Sequence, residues 1–310
     1  MAHPDLPEIV YKYVGQAGAC AILANRTLRF TRPSEMNDPF DVYIGDLFDT
    51  PLAELLNQHR LDAIELLVSD PLKFSEMMQL DAAEVVAMSE LIKASGPKKR
   101  AEFEAMIANE GIADLDPEMA QLQETMERQR DQVVAQFQSA GIFCATRNHT
   151  NLLMWAHYAD QHRGVVLGFR PDLARDSYLR LLKPVTYTDD RPSFYKSIDS
   201  TAEKMSESDI HAFNHKLVYT KSTHWSYEAE ERIYVPSEVA DGEPASYLSF
   251  YPEELVELHL GCRVTEVFKS EIIHAARSIN GAVAIFQAVL AKGSYALEFE
   301  PIAPIQNGNR

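Results

Sequence analysis

Hydrophobic and polar positions divide the chain into three zones. In residues 1–50 and 141–310, short apolar runs alternate with prolines, glycines and polar clusters, a pattern typical of short β-strands. Residues 51–140 instead carry Ala, Leu, Glu, Gln and Met at helical spacing. Because strands and helices do not alternate as βαβ units, the pattern predicts an α+β fold. We expect one domain over residues 1–310, with residues 51–140 as a helical insertion or lid.

The same pattern predicts individual elements in the two mixed zones. Strands are predicted at IVYKYV, LRFTRP, GIFCAT, GVVLGF, PVTYTD, HKLVYTK, EERIYV, SYLSFY, VELHLG and YALEFEPI. Helices are predicted at GACAILANRTL, at NLLMWAHYADQH, at about residues 265–277 and at about residues 280–292.

Charge and apolar content limit the expected partners. The chain has 29 basic and 46 acidic side chains, a formal net charge of −17, so phosphate polymers should be repelled unless basic residues cluster locally. No apolar run approaches membrane-spanning length, and the N-terminus has no basic segment followed by an apolar one. We therefore expect a cytoplasmic protein with no membrane partner.

Cysteines and histidines provide no recognisable metal motif. The three cysteines are far apart in sequence and lack CxxC spacing, which argues against a disulfide framework or a structural zinc site. His149, His157 and His162 are spaced unlike the ligands of common zinc sites. We expect no metal in this protein.

The segment WSYEAEERIY, Trp225 to Tyr234, concentrates charge and aromatic rings. As a strand, it would place Glu228, Glu230, Arg232 and Tyr234 on one face and mostly apolar residues on the other. Two carboxylates about 7 Å apart on a strand face, with an arginine next in line, can shift each other's pKa values. The pattern fits either an exposed ladder of ion pairs on a sheet edge or the wall of a site.

The segment NLLMWAHYADQHRG combines aromatic and imidazole side chains on a predicted helix. Trp155, His157 and Tyr158 fall within one helical turn, and both tryptophans of the chain lie in this segment or in WSYEAEERIY. The pattern fits either an aromatic wall for a planar ligand or an ordinary buried helix.

Two early segments offer further candidate ligand contacts. Tyr11 and Tyr13 share one face of a predicted strand, with Lys12 on the other. Asn37 and Asp38 precede a proline in a sequence typical of a rigid turn. Both segments fit ligand contact, and the second fits purely structural turn chemistry at least as well.

Six segments, spread from about Val10 to Arg263, occur in a specific order. They are YKY, FTRPSEMNDPFD, FCAT…NLLMWAHYADQHRGVVLGF, PVTYTD, KSTHWSYEAEERIY and ELHLGCR. Together, this series resembles the bacterial domain-of-unknown-function family 2971, with N-D-P-F, M-W-x-H-Y and W-x-x-E-x-E-x-R as its signature. The helical zone is not matched, and the family name implies no established chemistry.

More distantly, the mixed zones resemble ADP-ribosyltransferases, especially toxins that modify DNA bases. That resemblance implies a split β-sheet core, NAD as substrate, Glu230 as the catalytic glutamate and Glu228 two places before it. The early ligand-gripping element would be Tyr11 to Tyr13, although this segment lacks the histidine or arginine of that family.

From the residues and these resemblances together, we predict an ADP-ribosyltransferase-like enzyme that acts on NAD, of the kind that serves as a toxin or phage-defence effector. A small-molecule nucleotide is the expected partner, with a protein or nucleic acid as acceptor. Two alternatives remain open: a nuclease or other hydrolase using Glu228 and Glu230, and a non-enzymatic nucleotide-binding module. The predicted site residues are the catalytic Glu230 and Glu228 and the ligand-binding Tyr11, Lys12, Tyr13, Asn37, Asp38, Trp155, His157, Tyr158, Trp225 and Arg232.

Overall fold

The structure is a computed structural model of the 310-residue chain. It describes residues 6–43, 52–99, 101–102, 124, 128, 131–135, 137–192, 207–236 and 238–303. The chain divides into two compact units. The first comprises Met1–Tyr43, Ala135–Pro192 and Ser206–Arg310, and the second comprises Ile44–Val134 and Ser193–Met205.

The first unit contains a large mixed sheet, and the helices are distributed over both units. The strands are β1 Val10–Val14, β2 Thr27–Thr31, β3 Gly141–Thr146, β4 Val165–Phe169, β5 Lys183–Pro184, β6 Thr186–Tyr187, β7 Thr220–Lys221, β8 Glu230–Val235, β9 Ala245–Ser249, β10 Leu255–Leu260, β11 Ala284–Leu290 and β12 Leu297–Pro301. The helices are α1 Gln16–Asn25, α2 Leu52–Ser69, α3 Pro71–Met78, α4 Ala82–Ala94, α5 Leu152–Tyr158, α6 Glu207–Val218 and α7 Glu266–Ile279.

The ten-stranded sheet follows the order β12-β11-β10-β4-β1-β3-β2-β9, with β8 also paired to β3 and β5 to β8. Its pairs are antiparallel except for β10 with β11. Strand β8 pairs with β3 along its whole length, from Gly141 opposite Val235 to Thr146 opposite Glu230. Strands β1 and β2 pair with opposite ends of β3, at Thr146 and Ile142. The sheet therefore branches at β3, beside the start of β8.

Burial explains why the central strands and flanking helices form. All five residues of β4 are buried between β10 and β1, as expected of a continuous apolar strand. Helix α7 presents Phe268, Ile272 and Ala276, four residues apart, to the main core. The Thr265 side chain accepts a hydrogen bond from the Phe268 backbone N–H and caps the start of that helix.

The α+β class is confirmed, but two predicted elements are wrong. Residues 280–292 were expected to form a helix, whereas Ala284–Leu290 forms β11 between β10 and β12. An apolar run of this length does not distinguish strand from helix by periodicity, so the pairing partners decide. The predicted strand HKLVYTK instead places His215–Val218 at the end of α6, and only Thr220–Lys221 is a strand.

The second unit is helical where it is described, as predicted. Asp70 caps α3 by accepting from the Lys73 backbone N–H, and Pro71 occupies its first turn. Asp81 caps α4 by accepting from Ala83 and Glu84. Across the ranges given above, no helix is long and apolar enough to cross a membrane.

Candidate functional site

The turn before β8 differs from the strand that the sequence predicted. Residues Thr223–Glu228 form a 3-10 helix, and strand β8 begins only at Glu230. Ala229 joins them with a left-handed backbone conformation, φ 44°. The strand alternation expected over residues 225–229 is therefore wrong. Glu228 and Glu230 nevertheless face a common partner, because the reversal at Ala229 redirects the chain between them.

That partner is Lys221, the last residue of β7. Its Nζ lies 2.6 Å from Glu228 Oε2 and 2.9 Å from Glu230 Oε2. It is also 3.5 Å from Asp41 Oδ2, in the early turn of the chain. One ammonium group thus joins the neighbouring Glu228 and Glu230 to Asp41, which lies far away in the sequence.

Arg232, on β8, completes this group. Its Nε donates to Glu230 Oε1 at 2.6 Å, and its Nη1 donates to Asp41 Oδ1 at 2.8 Å and to the Val218 carbonyl at 2.7 Å. We call Asp41, Lys221, Glu228, Glu230 and Arg232 the carboxylate cluster. All five are buried, so the interpretation as an exposed ladder of ion pairs is wrong.

Mutual pairing shifts the pKa values of Glu230 and Lys221 in favour of their ionised forms. Burial alone would raise the pKa of Glu230, but the charges of Arg232 and Lys221 lower that pKa to about 2. Burial would lower the pKa of Lys221, yet Glu230, Asp41 and Glu228 raise it above its ordinary value. Three carboxylates face two cations, which leaves a formal charge of −1 in a buried region.

Tyr158 connects the carboxylate cluster to partly exposed groups. Its hydroxyl donates to Glu228 Oε1 at 2.6 Å and accepts from Asn37 Nδ2 at 3.0 Å. Burial and the hydrogen bond to Glu228 both raise the pKa of Tyr158, so the hydroxyl keeps its proton. The tyrosine is half-buried and Asn37 is exposed. These two side chains therefore link the buried Glu228 to the surface.

Helix α5 is tied to the 3-10 helix by its cap. The Asn151 side chain accepts from the Leu153 and Met154 backbone N–H groups, which caps α5. Its Nδ2 also donates to the Tyr227 carbonyl at 2.8 Å. This one residue therefore fixes Tyr158 relative to Glu228.

Aromatic side chains surround the carboxylate cluster on the 3-10 helix and α5. Lys221 Nζ lies 5.1 Å from the centre of the half-buried Trp225 ring, within range of a cation–π contact. The Trp225 and Tyr227 rings are 6.1 Å apart, and the His157 ring lies 6.5 Å from that of Tyr227. His157 is exposed. We call Asn37, His157, Tyr158, Trp225 and Tyr227 the aromatic rim.

Other predicted ligand contacts are occupied by internal packing and hydrogen bonds, and Tyr13 and Trp155 share one apolar cluster with Tyr158 and Tyr227. Trp155 is fully buried, and its Nε1 donates to the His149 carbonyl at 2.8 Å. Tyr13 packs edge-on against it and donates to the Asn148 carbonyl at 2.9 Å. Lys12 donates from Nζ to the Cys144 carbonyl at 2.7 Å.

Asp38 takes part in the turn that carries Asp41. Its Oδ1 accepts from the Phe40 backbone N–H at 2.9 Å, which is an Asx turn. The Asp41 backbone N–H donates to the Asp38 carbonyl at 3.0 Å. This contact matches the turn interpretation of the Asn-Asp-Pro segment.

A second group of ring side chains lies around Tyr11, and we call it the imidazole cluster. The His149 and His259 rings stack at 4.4 Å, and Tyr11 lies 4.7 Å from His149. Phe286 stacks on His259 at 4.8 Å, and Phe299 lies 5.0 Å from His149. The imidazole cluster comprises Tyr11, His149, His259, Phe286 and Phe299.

Burial in the imidazole cluster favours the neutral form of His149. Burial, reinforced by the neighbouring His259, lowers the pKa of His149 to about 4. The buried His259 places its Nε2 2.8 Å from Glu257 Oε2. A hydrogen bond from His259 is the largest cause that lowers the pKa of Glu257, partly opposed by burial.

Sequence reasoning did not select Asp41, Lys221 or Tyr187, although all three contact the central glutamates or their cation partners. The Tyr187 hydroxyl accepts from the Glu230 backbone N–H at 2.8 Å. Asp41 lies in the quoted MNDPFD segment, and Lys221 lies in a predicted strand. Nothing in either local pattern distinguishes these residues from ordinary surface charges.

In the part of the chain that the structure describes, no group of three or more His, Cys, Asp or Glu side chains is arranged to hold a metal ion. The three carboxylates of the cluster instead surround the Lys221 ammonium group. Chemically, the arrangement can stabilise positive charge that develops beside Glu228.

Residues 154–233 match the family described as "Protein of unknown function (DUF2971)". The matched segment contains Tyr158, Lys221, Glu228, Glu230 and Arg232, and it is shorter than the resemblance expected from about residue 10 to 263. Searches of curated proteins and of solved structures found no match. The comparisons therefore support the family domain and give no support for a resemblance to ADP-ribosyltransferases.

Proposed function

We propose that this protein transfers or hydrolyses the ADP-ribosyl group of NAD. The observation that carries the proposal is the buried carboxylate cluster, in which three carboxylates face two cations. Such a site suits a reaction whose transition state is more positively charged than its ground state.

Cleavage of the nicotinamide–ribose bond is a reaction of that kind. The bonding electron pair leaves with nicotinamide, and an oxocarbenium-like positive charge develops on the ribose, as in glycoside hydrolysis. The acceptor or water then forms the new bond to that ribose carbon and gives up its proton. Preorganised negative charge stabilises this state without rearrangement during the reaction. Glu228 and Glu230 would supply that charge, and the low pKa of Glu230, about 2, keeps it ionised at neutral pH.

The two glutamates differ in their surroundings, which suggests separate roles. Both oxygens of Glu230 are engaged by Arg232, and one of them also by Lys221. Glu228 contacts Lys221 with one oxygen and accepts from the half-buried Tyr158 with the other, so Arg232 does not hold it. We assign Glu228 the position nearer the ligand. Glu230 remains the predicted catalytic carboxylate, and its negative charge acts on the ligand together with that of Glu228.

The aromatic rim would bind the rings and polar groups of the nucleotide. Trp225, Tyr227 and Tyr158 are not fully buried, so each can offer a ring to a planar ligand while part of it stays packed. Asn37, already within hydrogen-bond distance of Tyr158, would bind polar groups of the ligand. An enzyme that consumes NAD in this way would be suited to act as a toxin or phage-defence effector.

Incubation with NAD labelled in the adenosine part tests the proposal. The wild-type protein and Glu230→Gln are compared with protein acceptors, with nucleic acid acceptors and with none. Glu300→Gln, an exposed residue of β12, is the matched control. We expect label transfer or free ADP-ribose with wild type and Glu300→Gln, and a loss of at least about 100-fold with Glu230→Gln.

A metal-dependent nuclease or hydrolase is the principal alternative. It would require the cluster carboxylates to bind a divalent cation, but the Lys221 ammonium group already lies between them. Adding a chelator distinguishes the two functions: NAD turnover that survives chelation supports the proposal, whereas nucleic acid cleavage that chelation abolishes supports the alternative. NAD binding without turnover by any variant would support a non-enzymatic binding module.

A further inference from the structure

Lys221 connects the two glutamates through one buried ammonium group. Its side chain is 4% exposed, and its Nζ contacts Glu228 and Glu230 at 2.6 and 2.9 Å. The two carboxylates therefore face each other across a single ammonium group. Without that group, two adjacent negative charges would be buried together, and one would be expected to take up a proton.

The two glutamates depend on Lys221 to different degrees. Glu230 has a second cation, because Arg232 donates to both of its oxygens. Glu228 has a neutral partner on its other oxygen, the hydroxyl of Tyr158. Among the contacts of the described residues, Lys221 is the cation that Glu228 touches.

We propose that Lys221 is a positioning residue that keeps Glu228 ionised beside Glu230 at neutral pH. Its catalytic relevance rests on the proposed function, because the pair is useful to a cationic transition state only while both members are charged. The charge state of Glu228 itself does not depend on which reaction the protein catalyses.

The surroundings of Glu228 determine what happens when the ammonium group is removed. The titratable and charged groups that act on Glu228 or share its cluster are Lys221 on β7, Tyr158 on α5, Tyr187 on β6, Asp41 in the early turn, Tyr227 on the 3-10 helix, and Glu230 and Arg232 on β8. With Lys221 neutral, three carboxylates would face Arg232 alone. Arg232 is engaged by Glu230 and Asp41, so the proton should go to Glu228.

Carbon-13 NMR of the glutamate side-chain carboxyl groups tests this directly. Glu228→Gln identifies the Glu228 resonance, and the titration is followed from about pH 5 to 9. We expect no titration of Glu228 in wild type or in Lys221→Arg, and a clear titration within this range in Lys221→Met. A folded Lys221→Met protein in which Glu228 remains ionised throughout would overturn the proposal.

A double variant covers the case in which Lys221→Met does not fold. If the lost cation leaves Glu228 as an unpaired buried charge, then Lys221→Met/Glu228→Gln should give a larger folded fraction at neutral pH than Lys221→Met alone. A double variant no more stable than Lys221→Met at neutral pH would overturn the proposal.

The pH dependence of NAD turnover connects the inference to catalysis. We expect the acid limb of the activity profile to move to higher pH in Lys221→Met and to return to its wild-type position in Lys221→Arg. The NMR titration does not require turnover, so the two proposals can fail separately. A wild-type protein inactive on NAD would refute the function, and an unchanged acid limb in active Lys221→Met would refute the role of Lys221.

Discussion

The carboxylate cluster and the imidazole cluster show two ways of burying titratable side chains in one unit of the fold. In the first, opposite charges contact each other, and the pKa of Glu230 is lowered to about 2 although burial opposes ionisation. In the second, imidazoles stack on aromatic rings, and burial lowers the pKa of His149 to about 4. The first cluster therefore preserves charge at neutral pH, whereas burial favours the neutral form of His149 in the second.

That difference suggests where chemistry occurs. A site that keeps both signs of charge ionised can act electrostatically on a ligand. A stack of rings that favours neutral His149 contributes packing and becomes less stable when it must take up protons. The proposed reaction is therefore assigned to the carboxylate cluster, and the imidazole cluster is assigned a mainly structural role.

The largest effect is expected from breaking the carboxylate cluster at Arg232. Arg232→Met would leave Asp41 and Glu230 without the arginine that contacts both. Removing one partner of a buried ion pair costs roughly 3–5 kcal/mol of unfolding free energy. Urea denaturation at neutral pH measures this loss.

The control for this experiment is Arg170→Met. Arg170 pairs with Glu8 at 3.3 Å, and both side chains are at least half exposed. Such pairs contribute up to about 1 kcal/mol. Equal losses for the two variants would mean that the carboxylate cluster is no more important to stability than a surface pair.

An intermediate effect, visible only in acid, is expected from the imidazole cluster. The pKa of His149 is about 4 in the folded protein, against an ordinary histidine value of 6.5, so the unfolded chain binds more protons between these two values. Folding stability should therefore fall as the pH falls from about 6.5 to 4. His149→Phe keeps a ring in the stack and should reduce this slope in urea denaturation at several pH values.

His274→Gln is the control for the acid experiment, because His274 lies on α7, outside the imidazole cluster, and is not buried. The unfolding free energy of His274→Gln should fall with decreasing pH as steeply as that of wild type. A His149→Phe protein that loses stability in acid as steeply as wild type would show that burial of this imidazole is not responsible.

The smallest effects are expected from removing single hydroxyl groups, that of Tyr158 at the carboxylate cluster and that of Tyr13 away from it. Tyr158→Phe removes the hydrogen bond to the Glu228 side chain, and Tyr13→Phe removes one to the neutral Asn148 carbonyl. Hydrogen bonds to charged groups contribute about 1.5–3 kcal/mol, and neutral ones about 1 kcal/mol. We expect Tyr158→Phe to lower NAD turnover about tenfold or more.

Tyr13→Phe should reduce stability slightly and leave turnover unchanged. Thermal melting and turnover are measured on the same preparations, so stability and activity can be compared directly. If the two variants reduced turnover equally, the assignment of the reaction to the carboxylate cluster would be contradicted.

The sequence predicted much of the sheet because its strands are short apolar runs between clear breaks. GIFCAT, for example, corresponds residue for residue to β3, Gly141–Thr146. It did not predict β11, since an apolar run at Ala284–Leu290 becomes a strand only through pairing with β10 and β12. Such long-range pairing is not encoded in local periodicity.

The candidate site was predicted in part and for an incomplete reason. Glu228, Glu230 and Arg232 were grouped by strand alternation, but the chain forms a 3-10 helix up to Glu228. Asp41 was not selected, since it meets Arg232 across 191 residues of sequence. Lys221 was not selected because a lysine at the end of a strand is ordinarily solvated.

The most direct test of the central claim is the rate of nicotinamide release from NAD, measured without added metal for wild type, Glu230→Gln and Glu300→Gln. We expect release by wild type and by Glu300→Gln at the same rate, and release slower by at least about 100-fold with folded Glu230→Gln. Release by Glu230→Gln at the wild-type rate, or none by the folded wild-type protein with any acceptor, would contradict the claim.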